Sequence, residues 1–467
     1  MTLHIPITPL RLCFASILSL FLAFACCGEE LQWKGGVAKT IITPTKSLWL
    51  AGYANRTKPA EGKLMDLWIK VLALEDSQGH RAIILTSDTL GIPQSIYQHV
   101  TATIAEKFQL KPAQVILSAS HTHCGPVLRN ALFDMYPLEE EQRKLIENYS
   151  AELEVKIVQT VGQALNNLTP VRLAAGQGTA GFAVNRRNNV EKEVPRLIEQ
   201  QALKGPIDHA VPTLAVFGPD GQLKAVLFGY ACHNTVMDFY QWSGDYAGFA
   251  QLALEHSHPD STAMFFMGCG GDQNPLPRRR PELAERYGNM LAAAVEETLR
   301  APMHTLSPQL ETSMEMVPLK LGPTPPETEL EKMMSEGGFT RRWATNLLAQ
   351  IRGGKSIMRD YPFPLQVWRL GNMQWLITLG GEPTVEYALG FKREFGENIW
   401  VAGYCNDVMT YIPSRRVLAE GGYEGGRAMI VYGLPALRWA DDVEDLVNAS
   451  ARRQVSQIQS ADKKSLR

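Results

Sequence analysis

Two histidines one residue apart, His121 and His123 in Ser120-His121-Thr122-His123-Cys124-Gly125-Pro126, directly follow the apolar run Val115-Ile116-Leu117. That run has the length and branching of a buried strand, and residues two apart on a strand project to the same side. Both imidazoles can therefore face one cleft. They could bind a zinc ion jointly, or one could ligate while the other moves protons. An isolated His-x-His can equally be structural, so its meaning depends on what the rest of the chain places at comparable positions.

The same design recurs along the chain. Ala82-Ile83-Ile84-Leu85 leads to Ser87-Asp88, Ala225-Val226-Leu227-Phe228 to His233, and Met264-Phe265-Phe266-Met267 to Gly270-Gly271-Asp272. Trp375-Leu376-Ile377-Thr378-Leu379 leads to Gly380-Gly381-Glu382, and Ile399-Trp400-Val401-Ala402 to Asn406-Asp407. Turn chemistry accounts for Gly and Asn after a strand, but poorly for three histidines and a glutamate. A catalytic zinc takes about three or four protein ligands and leaves a position for water, whose pKa it lowers to roughly 7. His121, His233 and Glu382 supply such a set from three separate strand ends. His256 and His258 follow a helical stretch instead and read as a solvated helix terminus, while His99 and His80 have no neighbouring signal.

Helical patterns over 94–108, 139–165, 247–255, 281–299 and 384–395 alternate with these strands. The alternation implies an α/β fold: a mixed β-sheet core with flanking helices and the active site at the strand ends. Residues 30–440 read as a single catalytic unit. Within it, 318–364 reads as a helical insertion, with helices near 327–335 and 341–352, followed by a hairpin around Gly371-Asn372. After Asp441 a last helix is expected to lead into a polar tail, 456–467, that frays.

The 467 residues carry 46 basic and 48 acidic side chains, a formal charge of −2, which offers no electrostatic case for nucleic acid. Arg11 precedes an apolar segment, 12–25, closed by Ala23-Phe24-Ala25, so residues 1–25 read as a signal peptide and the protein as exported. A lipid anchor on Cys26 or Cys27 is the weaker alternative. No later run approaches the ~18 apolar residues of a membrane span. Cys124, Cys232, Cys269 and Cys405 lie near the motifs; disulfides are open to them, but small buried residues on the floor of a site is the simpler reading.

Several spaced motifs together resemble the neutral ceramidases, zinc-dependent amidases that hydrolyse the N-acyl bond of ceramide. Ser120 to Pro126 is similar to the family's Ser-His-Thr-His-Ser-Gly-Pro, and His233-Asn234-Thr235 with Ser243-Gly244-Asp245-Tyr246-Ala247-Gly248 resembles the segment of the second zinc histidine. Gly381-Glu382-Pro383-Thr384 resembles Gly-Glu-Phe-Thr, and Asn406 through Tyr411-Ile412 resembles the segment whose tyrosine completes the metal shell. Tyr423-Glu424-Gly425 and Val184-Asn185-Arg186 match two further family segments. The likeness is discontinuous but runs from about Gly35 to Gly426.

This resemblance implies a zinc ion, Zn(2+), held by His121, His233, Glu382 and Tyr411. It further implies His123 as the group that moves the proton, Tyr423 as hydrogen-bond donor to the oxyanion, and Arg186 at the border of the site. For Tyr411, an interior aromatic with a bonded hydroxyl is the competing reading. Where the family has Gly-Asp-Val-Ser-Pro-Asn this chain has Gly271-Asp272-Gln273-Asn274-Pro275-Leu276, so Asn274 replaces a serine that contributes to catalysis or substrate contact. Family members also carry a C-terminal immunoglobulin-like domain, whereas little chain follows the last motif here. The expected partner is a small-molecule or lipid substrate, with transient membrane-surface contact. Two alternatives stay open: a zinc hydrolase of the same fold acting on another acyl amide or ester, and a non-catalytic metal-binding module. His123 and Tyr423 together speak against the latter.

Overall fold

In the apolar runs, successive residues enter different hydrophobic cores, so both faces of each strand are buried and the runs read as continuously apolar. Ile83 and Leu85 join one core while Ala82 and Ile84 join another; Val226 and Phe228 separate from Ala225 and Leu227 in the same way. This computed structural model describes residues 32–465, with side chains to 460, besides residues 1, 2 and 4. The apolar segment and cleavage site of the expected leader, with Cys26 and Cys27, fall outside the described residues.

The larger sheet contains β1 (Trp33–Ile41), β2 (Trp68–Glu75), β3 (Arg81–Ser87), β4 (Val115–Ala119), β5 (Thr169–Thr179), β6 (Ala210–Phe217), β7 (Leu223–Tyr230) and β8 (Thr262–Met267). Their spatial order is β8-β7-β6-β5-β1-β2-β3-β4, and a short strand, His304–Thr305, pairs with β5. A second sheet, in chain order, comprises β9 (Leu310–Lys320), β10 (Asp360–Leu370), β11 (Gln374–Leu379) and β12 (Trp400–Ala402). The two sheets pack face to face: Trp368, Leu370, Leu376 and Trp400 share a core with Leu72, Ile84, Ile116 and Leu227. The outer face of the large sheet is covered by helices Gln94–Phe108, Glu140–Asn166, Asp245–Ser257 and Pro281–Arg300, and that of the second by Glu386–Phe395 and Val443–Ser465. Helices, sheet, sheet and helices thus stack in four layers. The large sheet also coils. Lys70 Nζ on β2 donates to Ala263 O on β8 at 2.8 Å, although the two strands stand five positions apart, roughly 24 Å in a flat sheet.

Two expectations need correction. The segment 318–364 is not helical throughout: Pro318 to Lys320 belong to β9 and Asp360 to Pro364 to β10, paired antiparallel, and the helices Glu327–Met333 and Gly338–Arg352 rise between them. Pro362 and Pro364 are tolerated because β11 pairs only with Leu365 to Leu370, which frees one edge of β10 at the prolines. The tail from Ser456 is helical through Ser465, because Val455 and Ile458 continue the buried stripe of Val443, Val447 and Ala451.

Three neighbouring strand pairs are parallel: β3 with β4, β7 with β8, and β11 with β12. Each is joined through a helix, Gln94–Phe108, Asp245–Ser257 or Glu386–Phe395 respectively. Parallel strands linked this way place their carboxyl ends on one side, where crevices form. A bridge between Ser118 and Cys405, together with Asn406 N donating to Leu117 O at 2.6 Å, ties the end of β4 to the loop after β12.

Candidate metal centre and active site

Several strands end in left-handed turns that fold the next residues back over the sheet ends. His121 (φ 58), Tyr404 (φ 54), Asn406 (φ 65) and Gly381 (φ 62) all adopt positive φ. For an ordinary side chain this costs about 1–2 kcal/mol, a strain that clusters at functional sites. Gly381 is required where it stands, since a Cβ would sit 2.6 Å from Thr410 O.

The turns bring three buried imidazoles together, with one ring nitrogen of each of His121, His123 and His233 within 4.8 Å of the others. His121 Nε2 lies 3.2 Å, and His233 Nε2 3.1 Å, from the same oxygen, Glu382 Oε2. His123 Nε2 is 3.2 Å from His121 Nε2. His121 Nδ1 and His233 Nδ1 each lie 2.6 Å from a carbonyl, of Leu90 and Gly270. A carbonyl only accepts, so both Nδ1 atoms carry hydrogen and both Nε2 lone pairs point inward. His123 differs, for its buried Nδ1 has no partner among the described residues.

Burial, then neighbouring charge, depresses the basicity of two of the rings: His123 titrates well below the ordinary range, and His233 is lowered to about 4. Burial alone would raise the Glu382 carboxyl, but His121 and His233 outweigh it and hold it well below the carboxylate range. At neutral pH His123 and His233 are therefore neutral imidazoles and Glu382 is an ionised carboxylate. Inward lone pairs, a carboxylate between two of them and carbonyl-fixed tautomers suit a borderline cation such as zinc, so the residues present fit a metal.

The two-residue parallel pairing of Glu382–Pro383 with Tyr411–Ile412 sets Tyr411 opposite Glu382. Tyr411 Oη lies 3.1 Å from His233 Nε2 and accepts from Arg186 Nη2 at 3.0 Å. Arg186 follows the strand Ala183–Asn185, which pairs with Gln273–Pro275, so its Nη1 reaches Asn274 Oδ1 at 3.2 Å. Its Nε donates to Glu424 Oε1 at 2.8 Å. Burial opposes the Arg186 charge, yet Tyr411 and Glu424 hold its pKa well above normal. Tyr423 sits at the rim, 42% exposed, its ring edge-on to Tyr411 with centroids 5.3 Å apart.

All eight residues singled out in the sequence thus lie in or around one nest. Three of the other histidines lie elsewhere in ordinary pairings, His258 with Glu296, His99 with Glu154 and His80 with Asp76. Cys124, Cys232, Cys269 and Cys405 are buried free thiols.

Sequence reasoning missed four supports. Tyr432 donates to Glu382 Oε1, and Tyr404 to Oε2 at 3.3 Å. Tyr53 packs on His123 with ring centroids 4.6 Å apart, and Arg56 Nη2 donates to the His123 carbonyl at 2.7 Å. Tyr404 had a signal, standing just past a strand end. Tyr53, Arg56 and Tyr432 had none, since they arrive from loop and helix segments remote in sequence.

The description neutral/alkaline non-lysosomal ceramidase, N-terminal, matches residues 33–276. The neutral ceramidase of Pseudomonas aeruginosa is 22% identical over 89% of this chain and 72% of its own length. Neutral ceramidase B of Dictyostelium discoideum is 25% identical over 44% of this chain and 29% of its own. The crystal structure of the Pseudomonas aeruginosa neutral ceramidase shares the fold, with TM-score 0.66 and 21% identity, covering 91% of this chain and 75% of that one. A ceramidase complexed with C2 aligns similarly, at TM-score 0.65 and 21% identity over 91% and 76%. Because the family match spans more than half of the chain, this protein belongs to the neutral/alkaline non-lysosomal ceramidase family.

Proposed function

We propose that this protein is a zinc-dependent amidohydrolase that cleaves the amide bond of an N-acylated lipid such as ceramide. The observation that carries the reading is the convergence of His121 Nε2 and His233 Nε2 on Glu382 Oε2, at 3.2 and 3.1 Å, beside His123. His121, His233, Glu382 and Tyr411 would hold the ion, which when bound supplies Lewis acidity towards water and the amide carbonyl.

His123 is the proton carrier. Its Nδ1 lacks the carbonyl partner that fixes the tautomer of the other two rings, so the ring is free to exchange protons at either nitrogen. It takes a proton from the attacking water as the C–O bond forms and returns it to the leaving nitrogen as the C–N bond breaks, releasing a carboxylate and an amine. Tyr423 donates to the developing oxyanion, a bond stronger in the transition state than in the ground state. Arg186, braced by Asn274, aims Tyr411.

Transient contact with a lipid surface belongs to this reading. Exposed Val190, Ile198, Leu203 and Ile207 lie on one loop rooted at Arg186 and closed by Asn189 Nδ2 donating to Lys204 O at 2.7 Å. The segment 190–207 is electrically neutral, with Lys192, Arg196 and Lys204 balanced by Glu191, Glu193 and Glu199 and with Arg196 paired to Glu193, so the contact would rest on these apolar side chains. Export through the leader at 1–25 is the remaining part, checked by the amino-terminal sequence of the mature protein.

Zinc content of the purified protein and hydrolysis of ceramide against a panel of N-acyl amides and esters test the assignment. About one zinc per chain and ceramide cleavage abolished by chelation are expected. Cleavage confined to other amides or esters would move the substrate, as Asn274 allows, and a metal-free chain would sink the mechanism.

A further inference from the structure

In Gly421-Gly422-Tyr423-Glu424-Gly425-Gly426, glycine pairs flank the tyrosine at the rim, and Gly421 and Gly422 adopt φ of 68 and 80. The Gly425-Gly426 end is tightly packed, since a Cβ there would meet Val417 O at 2.6 Å or Leu437 O at 2.4 Å, whereas Gly422 and Tyr423 are exposed, and Arg187 grips the strap at three points. Arg187 Nη1 donates to Glu424 Oε2 at 2.6 Å, and Nη2 to Glu420 Oε2 at 2.9 Å and to Gly421 O at 3.1 Å. The other oxygen of Glu424 accepts from Arg186 Nε. One carboxylate therefore joins two consecutive arginines, one facing the metal nest and the other clamped on the strap.

The nest behind the strap is closed. His121, His123, His233, Glu382 and Tyr411 are 1 to 8% exposed, against 42% for Tyr423. No acyl amide can reach groups so buried unless a part of the rim gives way. Tyr423 is the outermost member, and its hydroxyl has no hydrogen bond among the described residues, so only ring contact with Tyr411 and the strap set its place.

We propose that Arg187 and Glu424 form a latch: positioning residues that hold the 420–426 strap closed with Tyr423 over the nest and Arg186 on Tyr411, and whose release admits substrate. Neither group touches the reacting atoms. The latch rests on the function proposed above, because it assigns Tyr423 a role in that reaction. The Arg187–Glu424 pair is largely buried, its side chains 12% and 7% exposed, so it holds the strap more firmly than a surface pair would, and its release has to be driven by substrate binding. The planar guanidinium of Arg187 spans acceptors on Glu420, Gly421 and Glu424 with separate nitrogens, a reach that the compact ammonium of a lysine does not match.

The test combines hydrogen exchange, metal content and a double-mutant cycle on the full chain. In Arg187→Ala, amides at 420–426 should exchange at least about tenfold faster than in wild type, with those of the Asp245–Ser257 helix unchanged and zinc per chain unaltered. On the substrate cleaved by wild type, kcat should fall by about 10- to 100-fold with KM changed less. In a Tyr423→Phe background the same substitution should cost under about threefold, because the hydroxyl it positions is already gone. Arg187→Lys should lie between, and together with Glu424→Gln it carries the comparison if Arg187→Ala does not fold. Unchanged exchange at 420–426, or full additivity with Tyr423→Phe, would overturn the latch. If wild type hydrolyses no acyl amide, the proposed function fails while the exchange comparison still decides whether Arg187 holds the strap.

Discussion

Gly52→Ala separates the two roles assigned to the paired histidines. Gly52 has φ 101, and a Cβ there would stand 2.3 Å from His123 Nδ1, 2.5 Å from Cγ and 2.8 Å from Cε1. Ordinary contacts between heavy atoms lie near 3.5–4.0 Å, so the His123 ring must retreat by roughly 1 Å. Tyr53 and His121 flank the ring, with centroids 4.6 and 4.9 Å away, so it cannot swing aside without disturbing one of them. The strained φ adds about 1–3 kcal/mol of destabilisation, which should appear as a modest fall in Tm. Displacing a proton carrier by about 1 Å is expected to lower kcat roughly 100-fold. The added Cβ meets none of His121, His233 and Glu382 directly, and His121 stays held on Leu90 O, so zinc per chain should stay at the wild-type value. The assay is steady-state hydrolysis paired with metal analysis of the same preparation. A rate within about threefold of wild type would refute the placement of His123 in proton transfer. Joint loss of rate and zinc would instead make His123 a ligand.

Tyr432→Phe removes the hydroxyl that donates to Glu382 Oε1, a bond to a charged acceptor worth about 1.5–3 kcal/mol. Zinc affinity, read by chelator competition, should weaken by about 10- to 100-fold, and unchanged affinity would exclude Tyr432 from the metal's support. Asp407 has its pKa raised by burial from 3.8 to about 7, with Tyr361 donating to it at 2.6 Å. A raised carboxyl pKa favours the folded state at low pH, and that stabilisation is lost as pH climbs through about 7. Asp407→Asn should therefore gain stability relative to wild type as pH rises from 5 to 8.5, by at most about 3 kcal/mol. A difference in unfolding free energy that stays flat across that range would rule this out. Ile198→Asp with Leu203→Asp should reduce co-sedimentation with lipid vesicles while leaving hydrolysis of a soluble short-chain amide intact; undiminished sedimentation would place the lipid contact elsewhere.

Much of the site could be read before the fold because its signals are local. An apolar run followed by His, Glu or Asn-Asp marks a strand end, and βαβ connectivity sends such ends to one side whatever the details of packing. His121, His233 and Glu382 were legible on that ground. Tyr411, Tyr423 and Arg186 needed the spaced motifs as well, because no periodicity points at a lone tyrosine or arginine. The helix 443–465 was truncated in the reading because polar residues crowd its later turns, while its burial depends on two apolar positions, Val455 and Ile458, that lean on the second sheet.

What the sequence determined by itself was six of the strands, the helices between them and the chemistry at their ends, all properties of residues within a few positions of each other; strands such as Trp33–Ile41, Thr169–Thr179 and Ala210–Phe217 carry no such ending and went unread. What only the tertiary structure decided was how ends from separate sheets meet. The face-to-face packing of Trp368, Leu376 and Trp400 on Leu72, Ile84 and Leu227 stacks one sheet on the other, and the ties between the end of β4 and the loop after β12 lock their strand ends together, which brings Glu382 within 3.2 Å of His121 across 261 residues of chain. The division of labour between His121 and His123 was implied by the motif resemblance and not by spacing; the structure adds a carbonyl at Leu90 that His121 Nδ1 reaches, while His123 Nδ1 has no partner among the described residues, and no residue spacing encodes either. Arg187, Tyr432 and Gly52 belong to the same class, for their roles arise from contacts between remote segments that exist only once the cores have formed.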